Sequence, residues 1–303
     1  MTKEKPIIQI NHLTKLYGSA RGIEDVCLTI EKGEVFGFLG PNGAGKSTTI
    51  NCMLGSLRAT SGNIIITGKN VASDRVEIVR SVGYLSGDME TEPSLTGDQY
   101  IDYVAHLRGM KDFKRLIELK KLLRTDFNKK IKHMSRGNKQ KVGLVVALMH
   151  DPDVLILDEP TSGLDPLMQA TFNKIIKDHS KRGKTAFISS HILSEVEEIC
   201  DRVGFIRDGK LVVVDTIENL RRRANKIVTV RISRTKKLQD QLAELKGVTG
   251  LQARGDNWLE FSFAGDVNEL TSILTKHQLD NLTISDADLE KMFIGYYQET
   301  ADV

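Results

Sequence analysis

The chain has 303 residues, 40% of them hydrophobic, which is enough to bury a sizeable core and to form about two domains. Its net charge of +3 is too small to indicate a nucleic-acid-binding protein. The longest apolar runs, Val142 to Met149 and Val154 to Leu157, fall far short of the ~20 residues that span a bilayer, so we expect a cytoplasmic location. Cys27, Cys52 and Cys200 are scattered, which argues against a disulfide or zinc framework.

In chain order, residues 5 to 30 read as antiparallel strands, and residues 34 to 39 read as a short apolar strand. The segment after them, here called the P-loop, matches G-x-x-x-x-G-K-[ST] in full and leads into a helix. Its residues, with the next helical residue, are Gly40, Pro41, Asn42, Gly43, Ala44, Gly45, Lys46, Ser47 and Thr48. We expect its N–H groups and Lys46 to hold phosphates and the Ser47 hydroxyl to bind Mg²⁺. A glycine-rich turn without a ligand is the alternative.

The middle of the chain predicts a hairpin-like piece at residues 57 to 69 and helices at 74–81, 96–108 and 116–124. The stretch from Met134 to Asp165 is the most informative part of the sequence. It holds a small polar loop, an apolar helix, a buried strand and a second polar loop. The lysine-rich part of this region, residues 129 to 141, is interpreted as a solvated helical face.

Two apolar strands of this region end in candidate catalytic residues. Asp158 and Glu159 follow the strand Val154 to Leu157, where Asp158 should hold Mg²⁺ and Glu159 should polarise the attacking water. His191 follows the strand Phe187 to Ser190 and could hydrogen-bond a γ-phosphate. A solvated strand-end acid and a structural histidine are the alternatives.

After about Leu220 the pattern changes to strand, helix, strand, strand, helix, strand over residues 226 to 285. That β-α-β-β-α-β order predicts a small ferredoxin-like α+β domain. An amphipathic helix over Asp286 to Gln298 should follow, for core packing or contact with a partner. The sequence therefore predicts two domains, 1–220 and 221–303.

Taken together, residues 5 to 220 resemble the ATP-binding subunit of an ATP-binding cassette (ABC) transporter of the drug, peptide or lipid exporter branch. The P-loop, Asp158 and Glu159 carry the resemblance, and four further features support it. The segment Ser162 to Asp165 is similar to the family's D-loop, His191 matches its switch histidine, and Tyr17 matches the aromatic that stacks on adenine. The family's signature loop is matched by Ser135, Arg136, Gly137 and Asn138.

The resemblance implies an α/β P-loop NTPase fold: a RecA-like core with an antiparallel β subdomain and a helical subdomain at about residues 88–150. It also implies ATP and Mg²⁺ as ligands and a head-to-tail homodimer or paired ATPase subunit. Each ATP would lie between the P-loop of one subunit and the signature loop of the other. The pair would work on a membrane-spanning permease at the inner face of the cell membrane, with no nucleic acid involved.

Two positions depart from the family pattern. Asn138 stands where the signature usually has Gln, and Gly87 stands where the family's Q-loop has Gln. Asp88 could supply the missing oxygen through a one-residue shift, or a water molecule could fill the gap.

Two other classes of function compete with this reading. A soluble ABC ATPase of DNA repair or translation would typically carry two cassettes or long insertions, which this chain lacks. A P-loop GTPase would need N-K-x-D, and Asn173-Lys174-Ile175-Ile176 lacks the Asp. A P-loop kinase would not need the signature-like loop.

Overall fold

A computed structural model describes residues 5–18, 20–87, 92–223, 225–232, 235–255 and 257–286. The chain divides into two compact units, Met1–Thr216 and Ile217–Val303. Residues 287–298 of the predicted terminal helix and the candidate ligand Asp88 lie outside the described residues. Within the part that is described, no helix is both long and apolar enough to cross a membrane.

The first unit alternates strands and helices. Its strands are β1 (Ile8–Tyr17), β2 (Ala20–Ile30), β3 (Val35–Leu39), β4 (Ser61–Ile66), β5 (Lys69–Asn70), β6 (Val82–Leu85), β7 (Val154–Asp158), β8 (Thr185–Ser190), β9 (Arg202–Arg207) and β10 (Lys210–Thr216). Its helices are α1 (Lys46–Met53), α2 (Val71–Ser81), α3 (Gly97–Leu107), α4 (Lys114–Leu123), α5 (Arg136–Leu148), α6 (Pro166–Lys181) and α7 (Leu193–Ile199), with a 3₁₀ turn at Ile131–His133.

A six-stranded sheet in the order β10-β9-β3-β8-β7-β6 forms the centre of this unit. All its pairs are parallel except β10 with β9 at one edge. Every residue of β3, β7 and β8 is buried, as expected of mainly apolar strands covered on both faces. Because these strands run in the same direction, the segments that follow β3, β7 and β8 meet at one edge of the sheet.

A second, antiparallel sheet has the order β2-β1-β4-β5. Its inward residues, among them Ile8, Ile10 and Leu13, share one buried core with Phe36 and Phe38 of β3. The antiparallel sheet therefore packs against the strand that leads into the P-loop.

Helices α3 and α4 both pack on α5. Helix α3 begins with a capping box, in which the Thr96 hydroxyl accepts from the Gln99 N–H and the Gln99 side chain accepts from the Thr96 N–H. Helix α2 starts at Val71, earlier than predicted, because the Asn70 side chain caps the Ala72 N–H.

The second unit contains α8 (Ile217–Arg223), β11 (Lys226–Ile232), α9 (Thr235–Glu244), β12 (Val248–Arg254), β13 (Trp258–Phe263), α10 (Val267–Leu274) and β14 (Leu279–Asp286). Its strands form an antiparallel sheet in the order β12-β13-β11-β14. Alternate residues of β13, namely Leu259, Phe261 and Phe263, are buried together with Val228 and Val230 of β11. From β11 to β14 the elements follow the split β-α-β-β-α-β order.

Candidate active site

The P-loop connects β3 to α1 and depends on its glycines. Gly45 has a φ of 110°, and a Cβ added there would lie 2.5 Å from Ile23 Cγ2. The Lys46 ammonium folds back over the loop and donates to the carbonyl oxygens of Gly40 (2.7 Å) and Pro41 (3.2 Å). Among the described residues no side chain caps the start of α1, so its first N–H groups can bind an anion.

A cavity of about 220 Å³ opens over this loop. Its lining consists of Pro41, Asn42, Gly43, Gly45, Lys46, Ser47, Thr48 and Glu159. Backbone N–H groups, an ammonium and a hydroxyl thus face one polar space, with a carboxylate at its side. Such a lining suits a polyphosphate.

Asp158 ends β7 beside the start of α1. One carboxylate oxygen accepts from the Ser47 hydroxyl at 2.9 Å, and the other accepts from the Ser189 hydroxyl of β8. Gly87 approaches from the segment after β6, where an added Cβ would lie 3.6 Å from Asp158 Oδ2. The structure therefore brings Ser47, Asp158 and Gly87 together.

Glu159 has a φ of 48°, which is uncommon for a residue with a side chain. Its N–H donates to the carbonyl and the hydroxyl of Ser189, at 3.2 and 3.1 Å, which holds this backbone conformation. Its carboxylate contacts His191 Nδ1 at 2.8 Å and Lys46 Nζ at 3.3 Å. The acid and the histidine predicted from separate strands are thus direct neighbours.

The signature loop forms a second cluster with the D-loop. Ser135 caps α5, accepting from the Asn138 N–H at 3.3 Å. A Cβ added at Gly137 would lie only 2.4 Å from the Gly163 carbonyl oxygen, so these two loops are in close backbone contact. Asp165 caps α6, accepting from the Met168 N–H at 3.0 Å.

Two buried polar residues of the site escaped the sequence reasoning. Gln140, 3% exposed, donates from Nε2 to the carbonyl oxygens of Glu159 (3.2 Å) and Pro160 (3.1 Å). Its place in a lysine-rich run suggested a solvated face, and that interpretation is wrong for Gln140 itself. Ser189, fully buried, holds both Asp158 and the Glu159 N–H. The sequence signal available for Ser189 was a hydroxyl residue near the end of a buried apolar strand.

Tyr17 ends β1 close to the P-loop helix. Its hydroxyl lies 3.4 Å from Thr48 Oγ1, and its side chain is exposed, at 49%. The Lys15 ammonium lies 5.5 Å from the ring centroid. An exposed aromatic ring at the edge of a phosphate site is suited to stacking on a base.

A P-loop on a parallel sheet, with an Asp and a Glu at the end of another parallel strand of that sheet, defines the class of P-loop nucleoside triphosphatases. A family model for ABC transporters matches residues 23–162. The bacitracin transport ATP-binding protein BcrA of Bacillus licheniformis is 33% identical over 294 residues, covering 95% of this chain and 96% of the relative.

An uncharacterised ABC transporter ATP-binding protein of Bacillus subtilis, YhcH, is 37% identical over 224 residues, covering 71% of this chain and 72% of the relative. The solved structure of an ABC transporter ATP-binding subunit superposes with a TM-score of 0.67 at 29% identity, covering 71% of this chain and 92% of the other. The chain belongs to the ABC transporter family and is an ATP-binding, ATP-hydrolysing subunit of that family.

Proposed function

We propose that this chain powers the export of a drug, peptide antibiotic or lipid through a separate membrane permease, using Mg²⁺ with ATP. One observation carries the hydrolytic part: the Glu159 carboxylate lies 3.3 Å from the Lys46 ammonium and lines the P-loop cavity. The export part is supported by BcrA, which is named for bacitracin transport and aligns with 95% of the chain.

The P-loop N–H groups and Lys46 bind the phosphates of ATP, while the exposed ring of Tyr17 stacks on the adenine. The hydroxyl of Ser47 and the carboxylate of Asp158, 2.9 Å apart, are hard oxygen donors that fit Mg²⁺. When bound there, Mg²⁺ neutralises charge on the β- and γ-phosphate oxygens. Asp88 stays a candidate for an additional oxygen ligand.

Glu159 accepts a proton from the water that attacks the γ-phosphorus. His191, whose Nδ1 lies 2.8 Å from the carboxylate, fixes the orientation of Glu159 and can contact the γ-phosphate with its other nitrogen. Lys46 interacts with Glu159 as well as with the loop carbonyls, so an incoming phosphate competes for its charge. Binding of ATP therefore frees the Glu159 carboxylate to act on water.

The chain pairs head to tail, either with a second copy of itself or with a related ATPase subunit. The signature residues Ser135 to Asn138 present the start of α5, with its positive helix-dipole end, to the partner's ATP. Asp165 anchors the D-loop beside them. This pair works at the inner face of the cell membrane, where the permease selects the substrate.

Replacing Glu159 with Gln tests the hydrolytic mechanism, because the amide keeps the size of the side chain but cannot accept the proton. We expect turnover to fall by about 10²–10⁴-fold, with ATP binding retained and a dimer that forms only with ATP. Phosphate release and size-exclusion chromatography measure these effects. Glu77→Gln, at an exposed glutamate of α2, is the matched control and should behave as wild type. Undiminished turnover in Glu159→Gln would remove this residue from the mechanism.

The transport role has its own test. The tagged full chain, crosslinked in membranes of its native host, should co-purify with a polytopic membrane protein. Recovery of the chain alone, with no membrane protein attached, would contradict the exporter proposal while leaving the ATPase mechanism intact.

A further inference from the structure

Three side chains with metal-binding atoms meet on the antiparallel sheet, outside the P-loop site. They are His12 of β1 and Asp25 and Cys27 of β2, here called the β1–β2 cluster. One ligand atom from each lies within 4.8 Å of the others. His12 Nδ1 lies 2.6 Å from Asp25 Oδ1 and 3.5 Å from Cys27 Sγ. An imidazole nitrogen, a carboxylate oxygen and a sulfur are therefore already gathered at one point.

The pairing of β1 with β2 is irregular at this point. Ile10 pairs with Leu28 and Leu13 with Val26, so β1 carries an extra residue between them. His12 and Asp25 have φ angles of 49° and 53°, a region that costs residues with side chains roughly 1 kcal/mol or more each. A bulge of this kind redirects side chains. Here it brings His12 together with Asp25 and Cys27, which lie 13 and 15 positions away from it in the chain.

We propose that the β1–β2 cluster is a binding site for Zn²⁺ or a similar divalent transition metal. Imidazole, thiolate and carboxylate are the ligands that Zn²⁺ takes in proteins. Bond lengths of about 2.1 Å to nitrogen and 2.3 Å to sulfur in a tetrahedron separate these two atoms by roughly 3.6 Å. The observed 3.5 Å between His12 Nδ1 and Cys27 Sγ matches that separation. Bonds of about 2.1 Å to nitrogen and oxygen separate those two atoms by roughly 3.4 Å, so the 2.6 Å between His12 Nδ1 and Asp25 Oδ1 has to lengthen by less than 1 Å when a metal binds.

The surroundings of the cluster favour the metal-bound form. The backbone N–H of His12 donates to Cys27 Sγ at 3.2 Å, and this hydrogen bond strengthens when the sulfur is a thiolate. His12, Asp25 and Cys27 are all exposed, so a metal can enter from solvent and keep water as its fourth ligand. The site differs in kind from the Ser47–Asp158 pair, which offers only oxygen. A metal held by both strands crosslinks β1 to β2 and stabilises the folded state.

A Co²⁺ titration of the nucleotide-free, chelator-treated full chain under a non-thiol reductant tests the proposal. We expect a thiolate-to-Co²⁺ charge-transfer band that saturates at one ion per chain and is abolished by Zn²⁺. The sulfur must come from Cys27, because Cys52 and Cys200 are buried. Calorimetry should give one Zn²⁺ site, and Zn²⁺ should raise the melting temperature of the chain.

Cys27→Ser should remove the band, and His12→Ala and Asp25→Asn should each weaken Zn²⁺ binding by at least tenfold. His106→Ala, at an exposed histidine on α3, is the matched control and should bind as wild type does. Asp158→Asn should also leave the titration unchanged. A missing band in the wild-type chain, or Zn²⁺ binding that survives Cys27→Ser and His12→Ala but not Asp158→Asn, would overturn the proposal.

Discussion

Gly87 lies against the residue that we assign to Mg²⁺, yet it offers no side-chain atom of its own. A Cβ added there would lie 3.4 Å from the Asp158 carbonyl oxygen and 3.6 Å from Oδ2, which is ordinary contact distance. Position 87 therefore has room for a Cβ beside Asp158. The absence of a Q-loop glutamine is a chemical difference and not a steric requirement of the fold.

Replacing Gly87 with Gln should restore an amide oxygen next to Asp158. We expect the Mg²⁺ concentration for half-maximal ATPase activity to fall by roughly 3- to 10-fold, about the effect of one added polar ligand of ~1 kcal/mol. Magnesium titrations at saturating ATP measure this constant. Gly87→Ala fills the same space without a donor atom and should leave it unchanged. Equal behaviour of the two variants would rule out an oxygen ligand from position 87.

At the scale of elements, Gln140 connects α5 to the end of β7. It is the buried contact through which the helix that follows the signature loop touches the backbone of Glu159. Removing its amide leaves the buried carbonyl groups of Glu159 and Pro160 with fewer donors. Loss of such donors costs about 1–3 kcal/mol of folding free energy.

Gln140→Met keeps the volume of the side chain and removes the donor. We expect kcat to fall by about tenfold, because ~1.4 kcal/mol of positioning is lost at Glu159, while the KM for ATP stays within twofold. Steady-state kinetics separate the two constants. Lys139→Met, at the neighbouring position, is the control and should keep wild-type kinetics. A variant that lost stability alone, with kcat unchanged, would mean that Gln140 has only a structural role.

The sequence predicted most elements because their signals are local. The P-loop, the apolar strand before Asp158 and the β-α-β-β-α-β order are each readable within a few residues. Pattern reasoning failed where a neighbour decides the outcome. In α3 the spacing of Ile101, Val104 and Leu107 predicts one apolar face, yet Leu107 is 69% exposed, whereas the small Ala105 is buried. Gln140 and the β1–β2 cluster went unseen for the same reason, since their partners lie elsewhere in the chain.

For the whole molecule, buried histidines make stability depend on pH. Burial, followed by the charges of the nearby Arg182 and Lys184, lowers the pKa of His179 to about 4. Burial, followed by the charge of Arg108, lowers the pKa of His150 to about 4 as well. The unfolded chain takes up these protons near pH 6.5 and the folded chain does not. Stability present above pH 6.5 is therefore lost as the pH falls toward 4.

We expect the unfolding free energy of the first unit to fall by up to about 2 kcal/mol per buried histidine between pH 7 and pH 5. His179→Leu should remove the His179 share of this dependence at little cost at pH 7, because neither ring nitrogen has a hydrogen-bond partner among the described residues. Urea unfolding, monitored by circular dichroism at each pH, measures this unfolding free energy. Trp258, the single tryptophan, lies in the second unit, so its fluorescence reports separately on that unit. His106→Ala should keep the full pH dependence of the unfolding free energy. An equally strong pH dependence in His179→Leu would contradict its assignment to His179.

The contact between Gly137 and Gly163 restricts how this chain can change over generations. A methyl group at position 137 would meet a backbone oxygen at 2.4 Å, and no exchange of a nearby side chain can remove a backbone atom. A second mutation can rescue such a change only by moving one of the two loops. Any compensating mutation that shifts the D-loop also shifts the start of α6, where Asp165 is the cap. The two loops therefore have to evolve as one inherited unit, even though 25 residues separate these glycines in the sequence.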